Sequence, residues 1–322
     1  MDAYLMAEDF PKQFSKIECQ PISLEGYAGV VFSGMGGSGI VGDFMKLFVP
    51  AEKPVLSIRG YDLPAFVKDN WLLVCTSYSG NTEETISVLE EALQRGLKPV
   101  CVSSGGKLKE IANREGLVHI PLPEGYPPRY ALGFMLSALL CLFGMDGSVE
   151  RVREHLETNK EEIKKTAQEL AKNMFTYLPM VYGTPLTEPV AFRWKTQINE
   201  NSKTLCYNAI LPEMHHNEVV GLDNPQIRNL CGFVLLYDPQ DHERILKRVD
   251  ITRQVFEDLG VLLKVLSGRG ESLIERLLYL TYLGDWVSLY LADIYGQDPI
   301  PVKVIDFIKK SLARIYNMHA WS

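Results

Sequence analysis

Residues 30–39 read VVFSGMGGSG, and this stretch decides the fold. An apolar run of strand type ends at Phe32 and enters a turn with four glycines within residues 34–39. Apolar residues then recur at helical spacing between positions 40 and 48. A buried strand that passes through such a turn directly into a helix is the first unit of a parallel α/β sheet.

The same order of strand, turn and helix repeats along the first half of the chain. Further apolar strands are expected at 55–58, 72–75, 100–102 and 117–120. The helix after the third strand begins with Glu83 and Glu84 and ends at Gly96, as helix termini prefer. Apolar strands that alternate with helices indicate a parallel sheet covered on both faces, so this half is expected to be a doubly wound domain.

The second half follows the same order more loosely, and no residue-level repeat is visible. Strands are expected at 180–182, 233–237 and 261–266, with helices at 242–259 and 272–295. A charge-rich helix at 150–172 joins the halves. The sequence therefore predicts two α/β, flavodoxin-like domains, residues 1–150 and 151–322.

Composition excludes several classes of protein. The 322 residues carry 33 Lys and Arg against 40 Asp and Glu, a net charge of −7, which argues against nucleic-acid binding. The longest uncharged apolar stretch, 130–145, is too short for a membrane span and is expected to be a buried helix. The six cysteines show no CxxC spacing, and the first residues lack a signal-peptide pattern, so we expect a cytoplasmic protein with free thiols such as Cys75 and Cys101.

A second polar loop, TSYSGNT at residues 76–82, follows the third strand. Ser77, Ser79 and Thr82 place three hydroxyls directly before a helix, whose N-terminus attracts anions. Hydroxyls and N–H groups without Lys or Arg suit a phosphomonoester. The alternative is that Thr82 or Ser79 merely caps the helix, but capping requires one hydroxyl.

A second alternative comes from the first loop, since residues 34–39 match GxGxxG, a weak dinucleotide signal on its own. Arg59, at the end of the second strand, would then face an NADP 2′-phosphate.

Taken together, residues 34–39 and 77–85 resemble a sugar isomerase (SIS) domain, a fold that binds phosphosugars in isomerases, transferases and regulators. Residues 199–201 (NEN) and 211–218 (LPEMHHNE) resemble the bifunctional phosphoglucose/phosphomannose isomerase family. The similarity runs from about residue 34 to 312 and implies two SIS domains. It further implies reversible isomerisation of glucose 6-phosphate, and of mannose 6-phosphate, to fructose 6-phosphate through a cis-enediol, without metal or cofactor.

The resemblance also implies the site residues. The phosphate would be bound by Gly37, Ser38, Ser77, Ser79 and Thr82.

Glu200 would be the base, flanked by Asn199 and Asn201 as groups that orient it. Arg129, after the first domain's last strand, would steady the enediolate. Lys309 in the C-terminal helix would lie beside the sugar ring, with Lys310 as the alternative register.

His216 would open the sugar ring, and His215, its competitor, is expected to point the other way in an extended loop and pack. The His pair also suggests a metal, but Glu213 and Glu218 give no known ligand spacing, so none is expected. In this superfamily the histidine resembles one from a partner subunit, which implies a homodimer with its active site at the interface.

Two questions stay open at this stage. Family members often have a Thr near the sugar C2, and residues 298–302 (DPIPV) contain none, which puts mannose 6-phosphate in doubt. The alternatives to this isomerase are a non-catalytic phosphosugar sensor and an isomerase of another phosphosugar.

Overall fold

The computed structural model describes residues 2–50 and 52–319, with side chains through residue 312. Its strands form two all-parallel sheets. The first sheet consists of β1 (Gly29–Ser33), β2 (Val55–Ile58), β3 (Trp71–Thr76), β4 (Val100–Ser103) and β5 (His119–Pro121). The second sheet consists of β6 (Leu178–Gly183), β7 (Tyr207–Ile210), β8 (Cys231–Tyr237) and β9 (Leu263–Ser267).

Helices connect the strands and cover the sheets. In the first half they are α1 (Ala3–Glu8), α2 (Gly36–Lys46), α3 (Glu83–Gln94), α4 (Gly106–Arg114) and α5 (Leu132–Leu142). From there on they are α6 (Val149–Met174), α7 (Glu188–Asn201), α8 (Pro225–Arg228), α9 (Glu243–Asp258), α10 (Leu273–Ile294) and α11 (Lys303–His319). The predicted class, two parallel-sheet α/β domains, is confirmed.

Both sheets share one strand order. The first is β2-β1-β3-β4-β5 and the second is β7-β6-β8-β9, so β1 and β6 occupy the same central position. After β1 and β6 the chain forms a neighbouring strand on one side (β2 and β7) and then crosses to form the neighbour on the other side (β3 and β8). In such sheets ligands bind at the carboxyl ends of the strands where this change of side occurs. The domain boundary at residue 150 stays a prediction.

One apolar core extends through both halves. Helices α5 and α10 are buried on nearly every side, and α10 packs against α6 and α7. A Cβ at Gly284 would lie 2.2 Å from Trp194 Nε1, so glycine lets α7 approach α10 closely. The indole N–H of Trp194 donates to the Leu280 carbonyl at 2.8 Å. This packing fixes α7 against α10, and α7 also contacts α2 of the first half.

The sequence misses one strand and one pairing of cysteines. β7 lies at a sheet edge and reads YNAI, so no continuous apolar run marks it. Cys19 and Cys141, 122 residues apart, form a disulfide with Cα atoms 6.2 Å apart, and spacing in the chain gives no sign of such a pair. Cys75 and Cys101 are buried free thiols, as expected. Over the described residues, no helix combines the length and apolar character that a membrane crossing requires.

Candidate active site

The first glycine-rich turn brings Ser38 against the second polar loop. Gly36 has a φ of +51°, which favours glycine, and it starts α2. Ser38 Oγ accepts from the Tyr78 backbone N–H at 3.1 Å and faces Met135 Sδ at 3.4 Å. A Cβ at Gly34 would lie 2.7 Å from the Ser38 carbonyl oxygen. Residues 34–39 and 77–82, here called the two serine loops, therefore form one continuous surface.

The second serine loop presents paired hydroxyls at the start of α3. Ser77 is fully buried, and its Oγ lies 2.8 Å from Thr82 Oγ1. Thr82 occupies the N-cap position of α3, yet its side chain makes no capping hydrogen bond. Ser79 Oγ is exposed and accepts from the Asn81 N–H at 3.3 Å. The interpretation of Thr82 as a simple cap is therefore wrong, and the N-terminal N–H groups of α3 keep their capacity for an anion.

Arg59 does not present its charge to a nucleotide. Its guanidinium pairs with the Asp43 carboxylate of α2 and lies over the Phe192 ring at 4.9 Å from the ring centroid. Because Asp43 already neutralises this cation, the structure gives no support to the NADP alternative.

Arg129 is a second cation that the fold places beside the serine loops. A Cβ at Gly37 would lie 3.1 Å from the Pro128 carbonyl oxygen and 3.6 Å from Arg129 Cα. The side chain is 7% exposed, and its Nη1 lies 3.7 Å from Glu200 Oε2. The backbone of Arg129 thus lies against Gly37, while its guanidinium approaches Glu200.

Glu200 lies in the last turn of α7, and its side chain is 29% exposed. The expectation that its two neighbours orient it is wrong. Asn199 Oδ1 accepts from the Cys206 N–H at 2.8 Å, and Asn201 Oδ1 accepts from Arg129 Nε at 3.0 Å. Successive residues of a helix point in different directions, so neighbours in sequence do not share a target.

The two histidines separate as expected, although in a different conformation. Residues 213–216 form a 3₁₀ turn rather than an extended loop. His215 Nε2 lies 2.9 Å from Thr252 Oγ1, and Arg248 Nη1 donates to His215 Nδ1 at 3.1 Å. Burial first, and then the positive charge of Arg248, lower the pKa of His215, so it packs against α9 as a neutral ring. His216 is exposed.

Two predicted catalytic residues are not assembled with the others. Within the described part of the chain, no hydrogen bond or ion pair joins His216 or Lys309 to Arg129 or Glu200. Lys309 and Lys310 are both exposed on α11. The same helix exposes a series of large apolar side chains: Val304, Ile305, Phe307, Ile308 and Leu312. One chain therefore holds the serine loops, Arg129 and Glu200 together, while His216 and Lys309 face outward.

Sequence reasoning missed two residues that contact this site. Lys203 Nζ donates to the Glu200 carbonyl and, at 3.3 Å, to the Pro299 carbonyl; burial and then Arg129 lower its pKa. No pattern in the sequence marks it. Tyr78 lies inside the second serine loop, and its hydroxyl donates to the Pro123 carbonyl at 2.7 Å, which steadies the segment leading to Arg129. Tyr78 could have been found from its position inside the hydroxyl-rich loop motif at residues 76–82.

The residues beside the histidines are engaged with other partners. Glu218 accepts from the Tyr182 hydroxyl at 2.9 Å, and Glu213 accepts from the Asn217 amide at 2.8 Å. Across residues 2–50 and 52–319, no group of three His, Cys, Asp or Glu side chains is close enough together to hold a metal ion.

Two parallel-sheet domains with hydroxyl-rich loops at the carboxyl edge of the first define a class, the SIS-domain phosphosugar proteins. The tagatose-6-phosphate ketose/aldose isomerase from Escherichia coli shares this fold, with a TM-score of 0.71 over 92% of this chain and 94% of that chain at 12% identity. Residues 163–312 match the model of the bacterial phospho-glucose isomerase C-terminal SIS domain.

The relatives define the class more narrowly. A bifunctional phosphoglucose/phosphomannose isomerase from Aquifex aeolicus is 48% identical over 319 residues, 97% of this chain and 99% of that protein. One from Caldicellulosiruptor bescii is 40% identical over 304 residues, covering 89% and 90% of the two chains. This chain belongs to the bifunctional phosphoglucose/phosphomannose isomerase family.

Proposed function

We propose that this chain interconverts glucose 6-phosphate, fructose 6-phosphate and mannose 6-phosphate. The observation that carries the proposal is the approach of Arg129 Nη1 to Glu200 Oε2, 3.7 Å apart, by an arginine whose backbone lies against Gly37 of the first serine loop. Isomerisation needs a base at C2 and positive charge at the developing enediolate oxygen, and this pair supplies one of each. Phosphoglucose and phosphomannose are named in the family to which the chain belongs, and fructose 6-phosphate is the ketose that both aldoses give by this isomerisation.

The phosphate is proposed to lie on the two serine loops. Ser77 and Thr82 hold their hydroxyls 2.8 Å apart at the N-terminus of α3, and Ser38 lies in the first turn of α2. Gly37 and Ser79 complete the set, Gly37 because its lack of a side chain lets the backbone at Pro128 and Arg129 come close to the loop. The Tyr78 N–H to Ser38 Oγ bond joins the two serine loops, and the helix N-termini of α2 and α3 each favour a negatively charged phosphate.

In the proposed reaction, Glu200 takes the proton from C2 of the aldose and returns it to C1, while the proton of the C2 hydroxyl passes to the C1 oxygen, so that no net proton is consumed. Arg129 stabilises the negative charge that grows on the enediolate oxygen between these steps. Neither step requires electron transfer or a Lewis acid, so we expect no metal and no cofactor. Incubation with EDTA should leave the rate unchanged, and inhibition that zinc reverses would contradict this.

We further propose a homodimer in which His216 of one chain opens the sugar ring in the site of the other. His216 is exposed, whereas its neighbour His215 is anchored on α9. The exposed apolar side chains of α11 support contact with a second copy of the chain, because large exposed apolar patches mark interfaces. Lys309, on α11, would come beside the sugar ring in the assembled site.

The shared site has a sharp test. Glu200→Gln and His216→Ala chains are each expected to be inactive alone. When they are unfolded together and refolded, about half of the dimers are mixed, and each mixed dimer has one intact site. About one quarter of the wild-type activity should therefore return by this counting, whereas a site built within one chain would return none.

Acceptance of mannose 6-phosphate is proposed despite the missing Thr in residues 298–302. The carbonyl oxygens of Pro299 and Ile300 accept from Arg129 Nη2 at 2.7 and 2.8 Å, so this segment lies against the guanidinium through its backbone. Fructose 6-phosphate given to the purified protein should yield both aldoses in separate coupled assays. Glucose 6-phosphate alone would restrict the activity to one epimer, and binding without turnover would favour the phosphosugar sensor.

We also propose a cytoplasmic location, where the sugar phosphates occur, and a division into domains at residue 150. Cell fractionation with an antibody to the protein tests the first. Limited proteolysis that cuts first near the start of α6 would support the second.

A further inference from the structure

Asn201 holds Arg129 by its side chain. Asn201 Oδ1 accepts from Arg129 Nε at 3.0 Å and from the Tyr130 hydroxyl at 2.9 Å. Asn201 Nδ2 donates to Ser288 Oγ at 2.9 Å, and Ser288 Oγ donates to the Asp285 carbonyl at 2.6 Å. Asn201 and Ser288 are both fully buried. Since Arg Nε can only donate, this chain of bonds fixes which end of the amide faces the arginine.

The remaining donors of Arg129 are divided in a way that leaves one group for the substrate. Nη2 donates to the carbonyls of Pro299 and Ile300, at 2.7 and 2.8 Å. Nε and Nη2 together fix the plane of the guanidinium, because its donors form a rigid fork. Among the contacts of the described residues, Nη1 makes no hydrogen bond and faces Glu200 at 3.7 Å.

The backbone of Arg129 is held separately. Arg193 Nη2 donates to the Arg129 carbonyl at 3.0 Å, and Arg193 forms a buried ion pair with Asp285 at 2.7 Å. Asn201 therefore contributes something that the backbone contacts do not, namely the direction of the guanidinium. Burial raises the pKa of Tyr130 to about 12, so its hydroxyl stays protonated and keeps its bond to the same amide.

We propose that Asn201 is a positioning residue, which fixes the guanidinium plane of Arg129 so that Nη1 stays free for the enediolate oxygen. The inference rests on the proposed isomerase function, since it acts on the group assigned to that oxygen. A donor preorganised at the position where charge develops stabilises the transition state more than the ground state.

The test compares Asn201→Ala with the wild type in the coupled assay from fructose 6-phosphate. We expect kcat to fall about 10- to 100-fold, as for loss of one hydrogen bond to a charged group, with KM changed less than about threefold. A second measurement needs no turnover. The hydroxamate of 5-phospho-D-arabinonate, an anion that mimics the enediolate, should lose affinity by a similar factor, whereas sorbitol 6-phosphate should bind both proteins equally.

Asn199→Ala is the matched control. It removes the same kind of side chain from the same helix, but the Asn199 amide oxygen accepts from the Cys206 N–H and has no bond to Arg129. The kcat of Asn199→Ala should therefore stay within about twofold of the wild type. Asn201→Asp keeps an acceptor oxygen for Arg129 Nε and should recover much of the lost kcat. Ser288→Ala removes the support of the amide and should lower kcat in the same direction by less.

A double-mutant cycle separates positioning from a structural role. If Asn201 acts through Arg129, adding Asn201→Ala to an Arg129→Lys background should lower kcat less than about threefold further. The same large loss in both backgrounds, or unchanged hydroxamate affinity in Asn201→Ala, would overturn the proposal. A wild type without turnover would instead refute the proposed function, and the hydroxamate titration would then decide on Asn201 alone.

Discussion

The first four strands of the two sheets have the same order, but the side chains at their carboxyl edges differ in kind. The first edge carries the hydroxyls of Ser38, Ser77 and Thr82, and among the described residues no carboxylate forms a hydrogen bond with them. At the second edge, Asp238 and Asp241 follow β8 at the position where the second serine loop follows β3. One edge offers donors to an anion, and at the other edge internal carboxyl groups already occupy the donors.

The acids of the second edge are satisfied within the protein. Asp238 is 1% exposed and accepts from Arg276 Nε at 2.7 Å and Nη2 at 3.0 Å. Asp241 Oδ2 accepts from the Thr184 hydroxyl at 2.6 Å and from the Asp238 N–H at 2.9 Å. Internal carboxylates thus take the donors that a phosphate would need. Shared topology provides the position of a site, and the loop residues determine whether anything binds there.

In the proposed reaction the second domain contributes Glu200 and no phosphate site, and Glu200 therefore gives the strongest test of this comparison. Glu200→Gln should lower kcat by at least about a thousandfold, because the amide cannot take the C2 proton. Equilibrium binding of fructose 6-phosphate, measured by calorimetry, should change less than about threefold. Glu188→Gln, the same exchange at the exposed start of α7, is the control and should leave both quantities unchanged. Loss of binding in Glu200→Gln would make Glu200 part of the phosphosugar contact surface.

Arg276 tests whether the second edge is structural. Arg276→Met leaves the buried Asp238 carboxylate without its cation, which should lower the free energy of unfolding by about 3 to 5 kcal/mol. The KM for fructose 6-phosphate should not change at a temperature where the variant is folded. Urea unfolding followed by circular dichroism gives the first quantity, and Asp238→Asn combined with Arg276→Met should recover part of the loss. A raised KM with unchanged stability would mean that the second edge binds substrate.

Substitutions in the serine loops should raise KM, in contrast to Arg276→Met. Ser77→Ala and Thr82→Ala are each expected to raise KM about 10-fold or more, since each removes a hydroxyl from a charged phosphate, with a smaller effect on kcat. Thr184→Ala is the counterpart at the second edge and should leave KM within about twofold. Steady-state kinetics on the three variants measures this directly. Equal effects of Thr184→Ala and Thr82→Ala on KM would remove the distinction between the two edges.

The sequence predicts the parallel sheets well because buried strands such as 72–75 and 233–237 are continuous apolar runs that few other structures tolerate. It also gives the serine loops, since a hydroxyl-rich turn after a strand has a local signal. It misses Asn201 as the partner of Arg129, because that contact joins residues 72 apart whose meeting depends on how α7 packs. The ion pair of Asp238 and Arg276 at the second edge is missed for the same reason, since no local pattern shows that these residues meet.

The smallest expected effect concerns the acidity of the second edge. Burial is the largest influence on Asp241 and raises its pKa above the ordinary 3.8, against hydrogen bonds from Thr184 and two backbone N–H groups that lower it. Folding thus favours the protonated form, so the stabilisation from this group is fully present below about pH 3.8 and is lost as the pH rises through the folded-state pKa. Asp241→Asn has no such loss, and its unfolding midpoint relative to wild type should therefore rise as the pH increases from about 4 to 7. Urea titrations at several pH values measure this difference, and a relative midpoint that falls with pH would show that the hydrogen bonds to the carboxylate outweigh its burial.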